Sequence, residues 1–151
     1  KTQFNAQLHH SNNRDDPFCE TCRNNSNTEV QEDYKHALYA CPNAQLIIKH
    51  LTTTFFPNTA NTHFNISDIL VSNTKKINKD YDCQGGRDFI NLIWDLYQVL
   101  VTIDHTAGKT PNKILVSNSI KKSIKQITKS IPHSPLTIFV KGTPTLVRLL
   151  Q

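Results

Sequence analysis

The sequence predicts a mainly α protein: a small, irregular N-terminal region followed by a helical, basic C-terminal half. Three observations carry that expectation. Apolar residues recur at helical spacing in three separate stretches. Three of the four cysteines lie in the polar N-terminal third. Every acidic residue lies before position 105.

The chain has 151 residues, enough for one domain or for a small module with a second helical piece. At 37% hydrophobic and 19% charged residues it can build a modest core. No apolar run approaches the ~20 residues a membrane-spanning helix needs, and no basic-then-apolar leader opens the chain. The expectation is therefore an intracellular protein with no membrane contact. Methionine is absent, so the chain reads as a mature product or a piece of something longer.

The N-terminal region is organised by its cysteines. Cys19 and Cys22 form a C-x2-C pair, and His36 and Cys41 complete C-x2-C-x13-H-x4-C. Zinc takes four soft or borderline ligands in a tetrahedron, and this spacing offers three thiolates and one imidazole. The pair sits in a tight turn. His36 and Cys41 are little more than one helical turn apart, so a short helix over Glu32 to Ala40 and its end can present both. The polar spacer from Arg23 to Asp33 cannot bury a core of its own and needs such a staple. Three thiolates leave the site at net −1, and Arg23 and Lys35 lie close enough in sequence to soften that charge. The expected cofactor is one structural Zn2+ ion on Cys19, Cys22, His36 and Cys41.

Pro42 suits the first turn of the next helix, where its missing N–H costs nothing. Ala44, Ile47, Ile48, Leu51 and Phe55 then form one apolar face. Pro57 and the Asn/Thr run to Thr62 end this helix. Ile66 to Val71 is a further short helix by pattern. Residues 72–87 read as a linker closed by Gly85-Gly86, with Cys83 a free thiol inside it. These divisions give a zinc-knuckle region with its following helix over 1–58, a polar linker over 59–87, and a basic helical region over 88–151.

The last region opens with Asp88 as the expected N-cap. Phe89, Leu92, Ile93, Leu96, Leu100 and Ile103 make its apolar stripe, widened by Trp94, Tyr97 and Val101. Ala107-Gly108 and Pro111 break the helix. Ile120, Ile124, Ile127 and Ile131 form the next stripe, ended by Pro132 and Pro135. Leu136 to Val140 is apolar and β-branched enough for a short strand. Thr143-Pro144 opens a last small helix with Leu146, Leu149 and Leu150 on one side.

Charge divides the chain. Lys1 to Asp104 hold nine basic and all twelve acidic residues, whereas His105 to Gln151 hold eight basic residues and no acid. A segment that basic suits a polyanion, most often nucleic acid. Lys121, Lys125 and Lys129 stack at i, i+4 and i+8, with Lys122 beside them and Lys113 upstream. Like charges at that spacing repel, and a polyanion relieves the repulsion with release of counterions. Lysines position a phosphate backbone without reading sequence. The expected nucleic-acid contacts are Lys113, Lys121, Lys122, Lys125 and Lys129, with RNA ahead of DNA.

The residues around the cysteines also carry a resemblance. Phe4-Asn5-Ala6-Gln7-Leu8-His9 is followed by Asp16-Pro17-Phe18-Cys19-x-x-Cys22, then by Glu32-Asp33-x-x-His36-Ala37-Leu38-x-x-Cys41-Pro42. This pattern resembles the zinc-binding module that follows the polymerase in reverse transcriptases of non-LTR retrotransposons. The resemblance covers about the first 42 residues. It carries ligand roles onto Cys19, Cys22, His36 and Cys41 and implies a nucleic-acid-associated role. The spacer between Cys22 and His36 is long for the family, and the polymerase's catalytic aspartates are not in this chain.

No residue reads as catalytic. Ala107-Gly108-Lys109-Thr110 mimics the end of a phosphate loop but lacks the upstream glycine. H-E-x-x-H and G-x-S-x-G are both missing. A nuclease needs acids placed with a lysine, and the last acids are Asp95 and Asp104. His9-His10 belong to a polar arm, and Asn24-Asn25-Ser26 and Asn65-Ile66-Ser67 are chance glycosylation triplets. The expectation is thus a non-catalytic zinc- and nucleic-acid-binding module without a small-molecule substrate, nuclear if it serves a retroelement. The alternative is a repurposed subunit of a large ribonucleoprotein such as the mitochondrial ribosome, contacting rRNA and neighbouring proteins.

Overall fold

The computed structural model describes Phe4, His9 and residues 16–56 and 79–151. The helix expected over Ile66 to Val71, and His10, lie outside the described residues. The chain is mainly helical: α1 (Glu20–Ser26), α2 (His36–Ala40), α3 (Pro42–Phe55), α4 (Gln84–Thr106), α5 (Lys113–Ser130), α6 (Pro135–Lys141) and α7 (Pro144–Leu149). A 3-10 turn at Lys79–Tyr81 precedes α4. Among the described residues there is no β-strand, only one isolated antiparallel bridge between Phe18 and Gln31.

One apolar core joins the helices. Leu38, Ile47, Leu51 and Phe55 meet Phe89, Ile93, Tyr97, Ile120, Ile124, Leu136 and Leu146 in it. The long α4 packs against α6 and α5, and α5 lies along α3. The expected face of α3 is the buried one: Ala44, Ile47, Ile48, Leu51 and Phe55 are all inside. Pro42 stands in its first turn as expected.

Four local expectations are corrected. The helix over Glu32 to Ala40 starts only at Tyr34. Glu32 stays outside the helix, its N–H donating instead to the Pro17 carbonyl at 2.9 Å. Helix α4 starts one turn before Asp88, capped by Cys83, whose sulfur accepts from the Gly86 N–H at 3.4 Å. Its buried stripe is Phe89, Ile90, Ile93, Trp94, Tyr97 and Val101, while Leu92, Leu96 and Leu100 are half-buried and Ile103 is exposed. Residues Leu136 to Val140 form α6 instead of a strand. Ser134 caps it by accepting the Thr137 N–H at 3.1 Å, and Pro135 stands in its first turn. Helical spacing then puts Leu136 and Val140 on one buried face.

The Gly85-Gly86 pair is structural. A Cβ at Gly85 would run into the Pro135 carbonyl and the Phe139 side chain. A Cβ at Gly86 would run into the Tyr81 backbone. These two residues let α6 and the 3-10 turn approach the start of α4 at backbone contact.

Candidate metal centre

Each ligand position follows from a short local device. The Phe18–Gln31 bridge holds the incoming and returning segments together, with the Cys19 N–H donating to the Val30 carbonyl at 2.8 Å. Cys19 therefore sits at the mouth of α1, which carries Cys22 on its first turn. Asn27 ends α1 in the left-handed region (φ 52°), and the Thr28 N–H closes the turn onto the Cys22 carbonyl. Asparagine tolerates that conformation better than most residues. The Asp33 carboxylate accepts the His36 N–H at 2.8 Å and so starts the helical turn bearing the imidazole. That turn widens to a π-type turn, its last bond running from the Cys41 N–H to the His36 carbonyl at 2.8 Å. The widening swings Cys41 back over His36 immediately before α3.

These devices bring all four predicted ligands together. Cys19, Cys22, His36 and Cys41 are buried, and their ligand atoms lie within 4.8 Å of one another. The Cys22 and Cys41 sulfurs are 3.9 Å apart, those of Cys19 and Cys41 4.0 Å, and Cys22 Sγ is 3.4 Å from His36 Nε2. A tetrahedral ion held about 2.3 Å from sulfur places neighbouring sulfurs about 3.8 Å apart. The donor set thus fits one metal ion at its centre. The cysteines are free thiols.

The three thiols differ electrostatically. Cys41 is held below the ordinary thiol value by the Cys19 hydrogen bond and by the Asn43 and Ala44 N–H groups at the start of α3. Cys19 is pushed well up by its hydrogen bond to Cys41 and by burial. Burial, and then the charge at Cys19, raise Cys22. A metal ion takes the thiolate form of each cysteine, so its binding would displace the protons these thiols carry. Arg23, expected to soften the site's charge, pairs instead with Asp16 at 3.1 Å and lies over the Phe18 ring. The backbone N–H groups of Asn43 and Ala44, at the start of α3, are turned to Cys41.

The knuckle is anchored to the helical half along α4. Tyr97 donates to the Leu38 carbonyl at 2.8 Å, Tyr34 donates to Gln98 at 2.6 Å, and Tyr39 stacks on Trp94. Buried Glu32 lies 3.5 Å from His105 Nδ1, with the Phe4 ring edge-on to the same imidazole. Burial holds His105 below the usual histidine range, with Glu32 and Asp104 opposing that shift. His105 and Tyr97 carry no spacing signal relative to the cysteines, so sequence reasoning did not attach them to the site.

The predicted lysines lie elsewhere. Lys113, Lys121, Lys122, Lys125 and Lys129 all stand on α5, which packs against α3, α4 and α6. Val116, Ser117, Ile120, Ile124 and Thr128 bury one side of it. Lys121 is half-buried at the margin, and the other four lysines are exposed. Cys83 is exposed at the start of α4 and takes no part in the cluster.

No family model, no curated protein and no solved structure matches the chain. Among the described residues no helix is long and apolar enough to cross a membrane.

Proposed function

We propose that this chain is a non-catalytic, zinc-binding, nucleic-acid-binding module that lays the lysine side of α5 on RNA, or on target DNA. Zinc is the ion assigned to the cluster because three thiolates and an imidazole in a closed tetrahedral cage match its structural chemistry. The observation that carries the nucleic-acid reading is α5 itself: five lysines and no acid on a helix whose opposite side is buried. The resemblance of residues 4–42 to the module after the polymerase of non-LTR retrotransposons supports the same reading and a nuclear site of action.

A second reading has its own support. Leu115 (67% exposed), Ile138 (62%) and Leu46 (56%) stand on the outside of three different helices. Apolar residues so placed suit burial in an assembly. That favours a structural subunit of a large ribonucleoprotein, such as a mitochondrial ribosome, contacting rRNA and proteins.

The test replaces Lys121, Lys122, Lys125 and Lys129 together by Gln and follows RNA binding across salt. Each lost phosphate contact flattens the log–log salt slope by about 0.7 to 0.9. Unchanged affinity at low salt would refute the lysine face. Co-sedimentation of the chain with an rRNA particle would select the second reading over the first.

A further inference from the structure

A short path joins the candidate metal centre to the lysine helix. Cys41 belongs to the cluster and is also the N-cap of α3. Its carbonyl accepts the Gln45 N–H at 2.9 Å, which closes the first turn of that helix. Two residues after Cys41, the Asn43 side-chain amide donates to the Pro111 carbonyl at 2.9 Å, across 68 positions of sequence. Pro111 is buried. Proline has no N–H, so that carbonyl is its one backbone hydrogen-bonding group. Asn112 follows and caps α5, its side chain accepting the Ile114 and Leu115 N–H groups at 2.9 and 3.2 Å. Lys113 is the first residue of α5.

Each step of this path leans on the one before it. The first turn of a helix leaves N–H groups without partners inside the helix and must be held from outside. For α3 that hold is Cys41. An ion bound by Cys19, Cys22, His36 and Cys41 would pin the cap and with it the position of Asn43. Asn43 in turn holds Pro111, next to the residue that caps α5. The later turns of α5 have a separate support, because Ile120, Ile124 and Thr128 are buried where α5 packs against its neighbours. The path therefore acts on the start of α5, where Lys113 stands about two turns before Lys121.

We infer that Asn43 is a positioning residue that couples the metal centre to the start of the lysine helix, so that the grip on a nucleic-acid backbone depends on bound metal. The coupling rests on the nucleic-acid reading above and adds a regulation to it. Metal orders the turn that presents Lys113, and a bound backbone favours the same ordered turn. By linkage, each ligand then strengthens the other.

The experiment uses the full chain, loaded with one zinc ion per molecule or stripped by a chelator. Hydrogen exchange is followed over residues 113–116 and 120–128, and binding of a fluorescein-labelled structured RNA is read by anisotropy at fixed salt. Stripping the natural chain should speed exchange over 113–116 more than over 120–128, and weaken RNA binding about tenfold. Asn43→Ala should keep its zinc ion yet exchange fast over 113–116 with the metal in place. Its RNA binding should weaken only about twofold on stripping, the fivefold difference being about the worth of one hydrogen bond. Asn43→Asp cannot donate but places an acid where a helix start favours one. With zinc bound it should show the same fast exchange over 113–116, which reads the link even if the alanine variant frays α3. Zinc-loaded variants as protected over 113–116 as the natural chain, or an Asn43→Ala chain with the full tenfold dependence, would overturn the coupling. No RNA binding at low salt, in a chain whose exchange responds as expected, would overturn the nucleic-acid reading and leave the link from metal to α5 standing.

Discussion

The Tyr97 hydroxyl donates to the Leu38 carbonyl at 2.8 Å, linking the middle of α4 to the turn that carries His36. Both residues are buried, and burial pushes the Tyr97 phenol well up, so it stays a donor across the physiological range. Tyr97→Phe removes the donor and leaves a buried carbonyl unsatisfied. The expected cost is about 1 to 3 kcal/mol in denaturant unfolding. Hydrogen exchange should also speed up over residues 34–41. A variant as stable as the parent would mean that the other contacts along α4 anchor the knuckle without this bond.

Cys41 is the ligand that joins the centre to α3. Cys41→Ser should abolish metal binding and loosen residues 17–42, because the polar segment between Cys22 and His36 has no core of its own. Elemental analysis and a thermal melt check this together. Unchanged metal content with unchanged melting would contradict it.

Metal uptake should release protons. Cys19 and Cys22 lie above the usual thiol range and Cys41 below it. A group that binds metal only when deprotonated gains metal affinity as pH rises through its free value. Near pH 7, calorimetry in buffers of different ionisation enthalpy should find about two or more protons released per ion. Proton-neutral binding would show that the thiols are not ligands.

Gly86→Ala separates helix propensity from packing. In an open helix the change stabilises by roughly 0.5 to 1 kcal/mol. Here the new methyl meets the Tyr81 backbone, and overpacking of this kind costs about 1 to 3 kcal/mol. A lower melting temperature is expected, and a higher one would mean that the 3-10 turn does not press on α4.

Much of this was legible because each signal was local. C-x2-C-x13-H-x4-C names its ligands by chemistry and spacing, and those four residues are the ones brought together. The α3 stripe repeats cleanly, so its buried face could be read. Residues Leu136 to Val140 were misleading because four apolar residues and a threonine in so short a run fit either period. Ser134 and Pro135 decide for helix through their cap. The Gly85-Gly86 pair looked like linker composition, yet its function is a close approach by α6, a long-range fact. The same holds for Glu32 and His105, which are 73 positions apart in the sequence and 3.5 Å apart in the fold.

The most direct measurement is native mass spectrometry of the chain purified without added metal, set beside the same sample in acid. One zinc ion per chain is expected, with a native mass equal to the acid mass plus zinc less the displaced protons. Removing it with a chelator should collapse protection over residues 17–42. A metal-free chain, or a mass showing disulfides among Cys19, Cys22 and Cys41, would contradict a zinc-stapled module at its root.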